Sequence, residues 1–168
     1  LDIPGEKGCI FYAYKNGGCW ITADDLSESP PNPISTRSTP FDNATIRICG
    51  SVEWRHSSTS TSKKIAENLE KKSKVIQIDS QCKYSIVARN QADAYVRLPT
   101  DKLYVEKIWD HAAGKLIAEE AGAIVTDARG NPLDFGYGRL LQKNQGIVCS
   151  SPSLHASILK SIEQLNLI

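Results

Sequence analysis

Methionine does not occur anywhere in the 168 residues. A chain opening at Leu1 therefore does not open at a translation start. Strand-like sequence follows almost at once, so the expectation is the later part of a longer polypeptide. Paired cysteines are missing too. Cys9, Cys19, Cys49, Cys82 and Cys149 are scattered, and no CxxC occurs among them. Such an odd, unclustered set argues against a disulfide frame and a thiolate zinc site, and for reduced thiols in a reducing compartment. No apolar run approaches the ~20 residues of a membrane helix, and no signal-peptide pattern stands at the front. A cytoplasmic protein with no membrane partner is expected. Charge imbalance is also absent: 20 basic against 19 acidic residues leaves +1. With no basic stripe interleaved with aromatics, no nucleic-acid partner is expected. The short run Lys71-Lys72-Ser73-Lys74 reads as a solvated helix end. Internal repeats and low-complexity tracts are lacking.

What is present suits an ordinary globular chain, 40% hydrophobic and long enough to bury roughly 70% of its unfolded surface. Residues 8–14 (GCIFYAY) and 18–22 (GCWIT) are β-rich runs around Lys15-Asn16-Gly17, a hairpin signal. Residues 24–42 are rich in Ser, Pro, Asn and Asp and read as a connecting loop. The boundary is placed there. Residues 1–42 form a hairpin and a Pro/Ser-rich connection from a preceding sheet, and residues 43–168 form an α/β domain. Within that domain strands are predicted at 45–52, 75–78, 92–98, 124–126 and 146–149. Helices are predicted at 62–72, 82–90, from 112 to about 121, and at 153–165. This alternation predicts a layered α/β fold whose functional residues sit where strands give way to helices.

The stretch 107–136 organises the rest. Asp110 precedes a helix opened by Ala112, Ala113 and Gly114. A carboxylate there can cap the exposed N–H groups. The sharper reading is that the three tiny residues leave the helix start open to a metal-bound phosphate. Other polar groups fall near element ends: His56 after the first domain strand, Ser80 and Lys83 after 75–78, Arg97 at the end of 92–98. Taken singly, His56 reads as a loop histidine, and Ser80 as an N-cap with Lys83 solvated. Arg97, ending an apolar strand, calls for an anionic partner. Taken together, they describe a pocket for a phosphorylated small molecule.

Trp109-Asp110-His111-Ala112-Ala113-Gly114 resembles the WDxAAG signature of the lithium-sensitive, magnesium-dependent phosphatase superfamily, with EAGAIVTD at 120–127 and PLDF at 132–135 behind it. His56-Ser57-Ser58, DSQCKY at 79–84, ADAYVRLP at 92–99 and EKIWDH at 106–111 look like the fungal- and plant-type 3′(2′),5′-bisphosphate nucleotidases. The resemblance runs over nearly the whole chain. It implies an inositol monophosphatase-like α/β/α/β/α sandwich, with this chain supplying the C-terminal α/β layer pair. It implies removal of the 3′-phosphate from adenosine 3′,5′-bisphosphate to leave AMP, and the same step on the sulfated precursor, 3′-phosphoadenylyl sulfate. By motif position, Asp110 becomes a catalytic Mg2+ ligand beside the scissile ester. Ser80, Lys83 and Arg97 hold phosphate and ribose, and His56 lies against the nucleoside.

The departures carry equal weight. The family's DPxDGT motif occurs nowhere in the sequence, and neither does the upstream glutamate pair. Both belong to an N-terminal half, which becomes an expected partner, and the chain alone is expected to be inactive. Cys82 stands where relatives commonly carry a smaller residue, and the His56 segment is the loosest match. Two other readings stay open: an inositol (poly)phosphate 1-phosphatase, and a nucleotide-binding module without chemistry.

Overall fold

The computed structural model describes residues 8–23, 31–36, 43–51, 59–99 and 104–168. The predicted hairpin is formed by β1 (Cys9–Tyr14) and β2 (Gly18–Ala23), antiparallel with Ala13 opposite Cys19. Asn16 adopts φ +61° in its turn, a left-handed conformation that Asn tolerates better than most residues. A short strand, β3 (Asn32–Ile34), pairs with β2 and completes a three-stranded sheet. That corrects the reading of 24–42 as connection throughout. Pro33 hides the strand signal, yet proline is acceptable on an edge strand, where one side needs no donor.

Five strands form the second sheet in the order β5-β4-β6-β8-β7. They are β4 (Thr45–Gly50), β5 (Lys72–Gln77), β6 (Ala94–Arg97), β7 (Ile124–Thr126) and β8 (Ile147–Ser150). β4 runs parallel to β5 and β6, while β8 runs antiparallel to β6 and β7. β5 starts earlier than predicted. The lysine run is no helix end: Lys72 and Lys74 lie exposed on this outermost strand. Charged side chains there deter pairing with another chain.

Alternating side chains send the sheet's two faces to different helices. Ile46, Ile48, Val96 and Val148 pack with Ile65 of α1 (Thr59–Asn68) and Leu154, Ile158 and Ile162 of α4 (Pro152–Gln164). Cys49, Tyr95, Ile147 and Cys149 pack with Tyr84 and Val87 of α2 (Cys82–Ala88) and Ala118 of α3 (Ala112–Glu120). The far side of the α2/α3 layer meets the three-stranded sheet through Ala88, Ile117 and Ala121 against Cys19, Ile21 and Ile34. The layers therefore alternate α, β, α, β, and the α/β class expected from the sequence is the one observed. The side of the small sheet turned away from α2 and α3 exposes Ile10, Tyr12 and Tyr14, with Trp20 stacked between the two tyrosines. Among the described residues, no helix is long and apolar enough to cross a membrane.

Candidate functional site

The parallel strands β4, β5 and β6 end on the same side of their sheet, and the polypeptide just beyond them lines a cleft of about 390 Å³. Ser51 follows β4, Asp79 to Lys83 follow β5, and Arg97 closes β6. Tyr104, Asp110 and His111 complete the wall. Such crevices outside the carboxyl ends of strands are where open α/β sheets bind ligands. Of the residues singled out from the sequence, Ser80, Lys83, Arg97 and Asp110 share this one cleft. His56 lies outside the described residues.

The β5–α2 connection bends at Ser80, whose φ is +57°. A non-glycine residue in that conformation is costly unless its surroundings hold it. Gln81 does the holding. Its Nε2 donates to the Trp109 carbonyl at 2.9 Å, and its Oε1 accepts from the Gly114 N–H at 2.6 Å. One amide thus clamps the loop after β5 to the start of α3. The Ser80 hydroxyl accepts a long bond from the Cys82 N–H, 3.4 Å.

Lys83 is not solvated, since only 4% of its surface is exposed. Its Nζ reaches the Ser80 carbonyl at 3.4 Å and lies 5.6 Å from the centre of the Tyr95 ring. Burial pulls its ammonium below the usual lysine range, against the attraction of Asp79. An anion entering the cleft would favour the charged form.

Arg97 has its anionic partner inside the chain. Nε donates to Glu106 Oε1 at 2.7 Å, Nη2 reaches the Tyr104 hydroxyl at 3.4 Å, and the guanidinium lies over the Tyr104 ring. The other Glu106 oxygen meets His111 Nε2 at 3.0 Å, and His111 Nδ1 meets the Tyr84 hydroxyl at 2.8 Å. Glu106, His111 and Tyr84 are 4%, 1% and 1% exposed. Burial pushes the Glu106 carboxyl up, but the bond from His111 and the charge of Arg97 outweigh it and hold the group below the usual range. Burial drives the Tyr84 phenol well up, so it stays protonated.

Asp110 ends a 3₁₀ turn (Ile108–Asp110) and is exposed. It does not cap α3: His111 occupies that position, and no side chain caps it. Among the described residues the Asp110 carboxylate makes no hydrogen bond or ion pair. The reading of the small residues behind it needs correction at Gly114. That residue is buried against Tyr84, a Cβ there would stand 2.3 Å from Tyr84 Cδ2, and its N–H is taken by Gln81. Its smallness serves a ring, and its donor is not open to phosphate. Among the described residues no group of three His, Cys, Asp or Glu side chains could hold a metal ion. Asp110, with Asp79 in the same cleft, supplies at most part of a cation site.

Sequence reasoning missed Glu106, His111, Tyr84 and Gln81 as parts of the site. All four stood inside quoted motifs, but nothing in a linear sequence says that residues 84, 106 and 111 converge on Arg97.

Residues 4–167 match the model of the Inositol monophosphatase family. The chain is 41% identical over 160 residues to a 3′(2′),5′-bisphosphate nucleotidase of Dictyostelium discoideum, covering 95% of this chain and 47% of that one. To the protein of the same name from Oryza sativa it is 42% identical over 159 residues, covering 94% and 43%. The chain spans about half the length of the curated relatives it matches. A Thermotoga maritima IMPase structure superposes with a TM-score of 0.63 at 19% identity, over 95% of this chain and 53% of that one. That likeness speaks for the fold alone.

Proposed function

Because this chain belongs to the inositol monophosphatase family, we propose that it is part of a phosphomonoesterase that removes the 3′-phosphate from adenosine 3′,5′-bisphosphate and leaves AMP. The observation that carries this reading is Lys83. A nearly buried ammonium whose hydrogen bond among the described residues is one long contact to a carbonyl, facing a polar cleft beside an arginine, is poorly compensated until an anion arrives. The 3′(2′),5′-bisphosphate nucleotidases to which the chain is 31–42% identical support the nucleotide as substrate.

In this reading Lys83 and Arg97 neutralise the phosphate that the product keeps. Among the described residues Glu106 and Tyr104 take two of the five guanidinium N–H donors of Arg97, and its remaining donors can turn to a ligand. The Ser80 hydroxyl offers a further donor toward the nucleotide. Asp110, an exposed carboxylate whose oxygens meet no partner among the described residues, fits a hard cation, and the remaining ligands would come from outside those residues. Asp110 would supply part of the coordination of a magnesium ion, which would bring Lewis-acid stabilisation of the departing oxygen. The chain spans about half the length of its relatives; the other half, N-terminal by the absence of the DPxDGT motif from this sequence, is the partner that completes the centre, and 3′-phosphoadenylyl sulfate is a second substrate of the same shape. His56, by its motif position, lies against the nucleoside.

Two measurements test this. Calorimetric titration with AMP should give saturable binding, weakened at least about tenfold by Lys83→Ala or Arg97→Ala, the order expected for losing one charge-assisted contact. Phosphate release from adenosine 3′,5′-bisphosphate with magnesium should require the N-terminal half of a nucleotidase relative and vanish with Asp110→Ala. A restored pair that prefers inositol 1,4-bisphosphate would overturn the nucleotide assignment.

A further inference from the structure

His111 follows Asp110 in Trp109-Asp110-His111-Ala112-Ala113-Gly114 and opens the turn into α3. We propose that His111 is a positioning residue which, through Glu106, fixes the Arg97 guanidinium at the cleft wall, so that this position tunes which phosphorylated ligand the cleft accepts. The inference deepens the nucleotide-phosphate reading and rests on it for the identity of the ligand.

The hydrogen-bond chemistry sets an order of donors along this chain of side chains. Glu106 is held as a carboxylate and only accepts. Arg97 Nε–H fills Oε1, so the bond at Oε2 must come from His111 Nε2–H. In a neutral imidazole Nδ1 then carries a lone pair, and the Tyr84 hydroxyl donates to it. Each of these three bonds then joins a donor to an acceptor. The order is therefore Tyr84 to His111 to Glu106, with Arg97 donating from the other end.

Each link is anchored by the fold. Tyr84 stands edge-on to Tyr95, ring centroids 5.1 Å apart, and packs on Gly114, where a side chain would collide with it. His111 ties the start of α3 to this ring, and Glu106 sits five residues before it on the segment that returns past β6. A single carboxylate thus holds two side chains that both line the cleft. Remove the His111 donor, and Glu106 is free to turn about its own side-chain bonds, taking Arg97 with it.

The test separates positioning from mere packing by using two substitutes. In His111→Gln the side-chain amide can reach the place of Nε2 and still donate to Glu106. In His111→Asn the shorter amide reaches only the place of Nδ1. The Arg97 Nε–H resonance in ¹H–¹⁵N spectra should be sharp and slow to exchange in the wild-type chain and in His111→Gln, and averaged in His111→Asn. AMP affinity should fall about tenfold in His111→Asn and stay within about threefold in His111→Gln. Introducing His111→Asn into Arg97→Ala should cost nothing further, since residues acting through one contact are non-additive. Tyr84→Phe, which removes only a hydroxyl, should shift AMP affinity the same way but less, and it keeps the test open should His111→Asn not fold. An Arg97 signal unchanged in a folded His111→Asn, or affinity losses that simply add, would overturn the inference. An averaged Arg97 signal with no AMP binding even in the wild-type chain would support the positioning and overturn the nucleotide reading instead.

Discussion

Gly114, Glu106 and His155 show how single residues are constrained here. Alanine is the better helix former at an interior position by roughly 1 kcal/mol. Yet a Cβ on residue 114 would stand 2.3 Å from a buried ring, and overpacking of that kind typically costs about 1–3 kcal/mol. Gly114→Ala should therefore lower the melting temperature, and Tyr84→Leu in the same chain should recover part of the loss. Glu106→Gln keeps the shape but removes the charge between Arg97 and His111. Losing charge-assisted bonds in a buried setting is expected to cost about 1.5–3 kcal/mol, to be read from urea unfolding with an unchanged slope. His155 is 5% exposed, within 2.9 Å of Thr126 Oγ1 and 3.0 Å of Ser150 Oγ, and burial lowers its pKa. Above its ordinary value of about 6.5, both folded and unfolded chains hold it neutral. Below that value the unfolded chain takes up a proton that the folded imidazole refuses, so stability falls as pH drops. Urea midpoints between pH 7.5 and 5.5 should decline, and His155→Gln should flatten that slope.

At the scale of elements, the hairpin depends on a helix far away in sequence. Glu120, on the last turn of α3, accepts the N–H groups of Asn16, Gly17 and Gly18 at 2.7, 3.2 and 2.9 Å. The bonds from Gly18 and Asn16 hold its carboxyl below the usual range. A carboxyl lowered in the folded state stabilises above its unfolded value of about 4.3, and the benefit disappears only as pH falls through the folded one. Glu120→Ala should speed amide exchange at residues 16–18 at neutral pH, while the unaltered chain keeps them protected into mild acid. The Gln81 clamp acts likewise between α2 and α3. Gln81→Ala should weaken AMP binding without touching any residue assigned to the ligand, because Ser80 would be free to leave its left-handed conformation.

At the scale of the molecule, four alternating layers put every proposed ligand-holding side chain described here at one end of one sheet. They bring no complete metal cluster there among the described residues. Incubated alone with magnesium and adenosine 3′,5′-bisphosphate, the chain should release no phosphate above background in a malachite-green assay, even where it binds AMP. Full turnover by the isolated chain would refute the divided centre.

Sequence alone determined the class of fold, because hydrophobic period and the placement of Gly, Pro and charge are local properties. The 3.6-residue period marked α3, and Lys15-Asn16-Gly17 marked the hairpin. Strand-to-helix junctions then marked Ser80, Lys83, Arg97 and Asp110 as neighbours in waiting. Pro33 hid a strand because edge pairing forgives what local propensity penalises. Lysines at 72 and 74 imitated a helix end because exposure, not period, governs an edge. Only the tertiary structure decided what Arg97 pairs with, why Gly114 is small and what His111 does. Those answers depend on contacts among residues 81, 84, 97, 106, 111 and 114, and such convergence is a property of packed layers, with no counterpart in spacing along the chain.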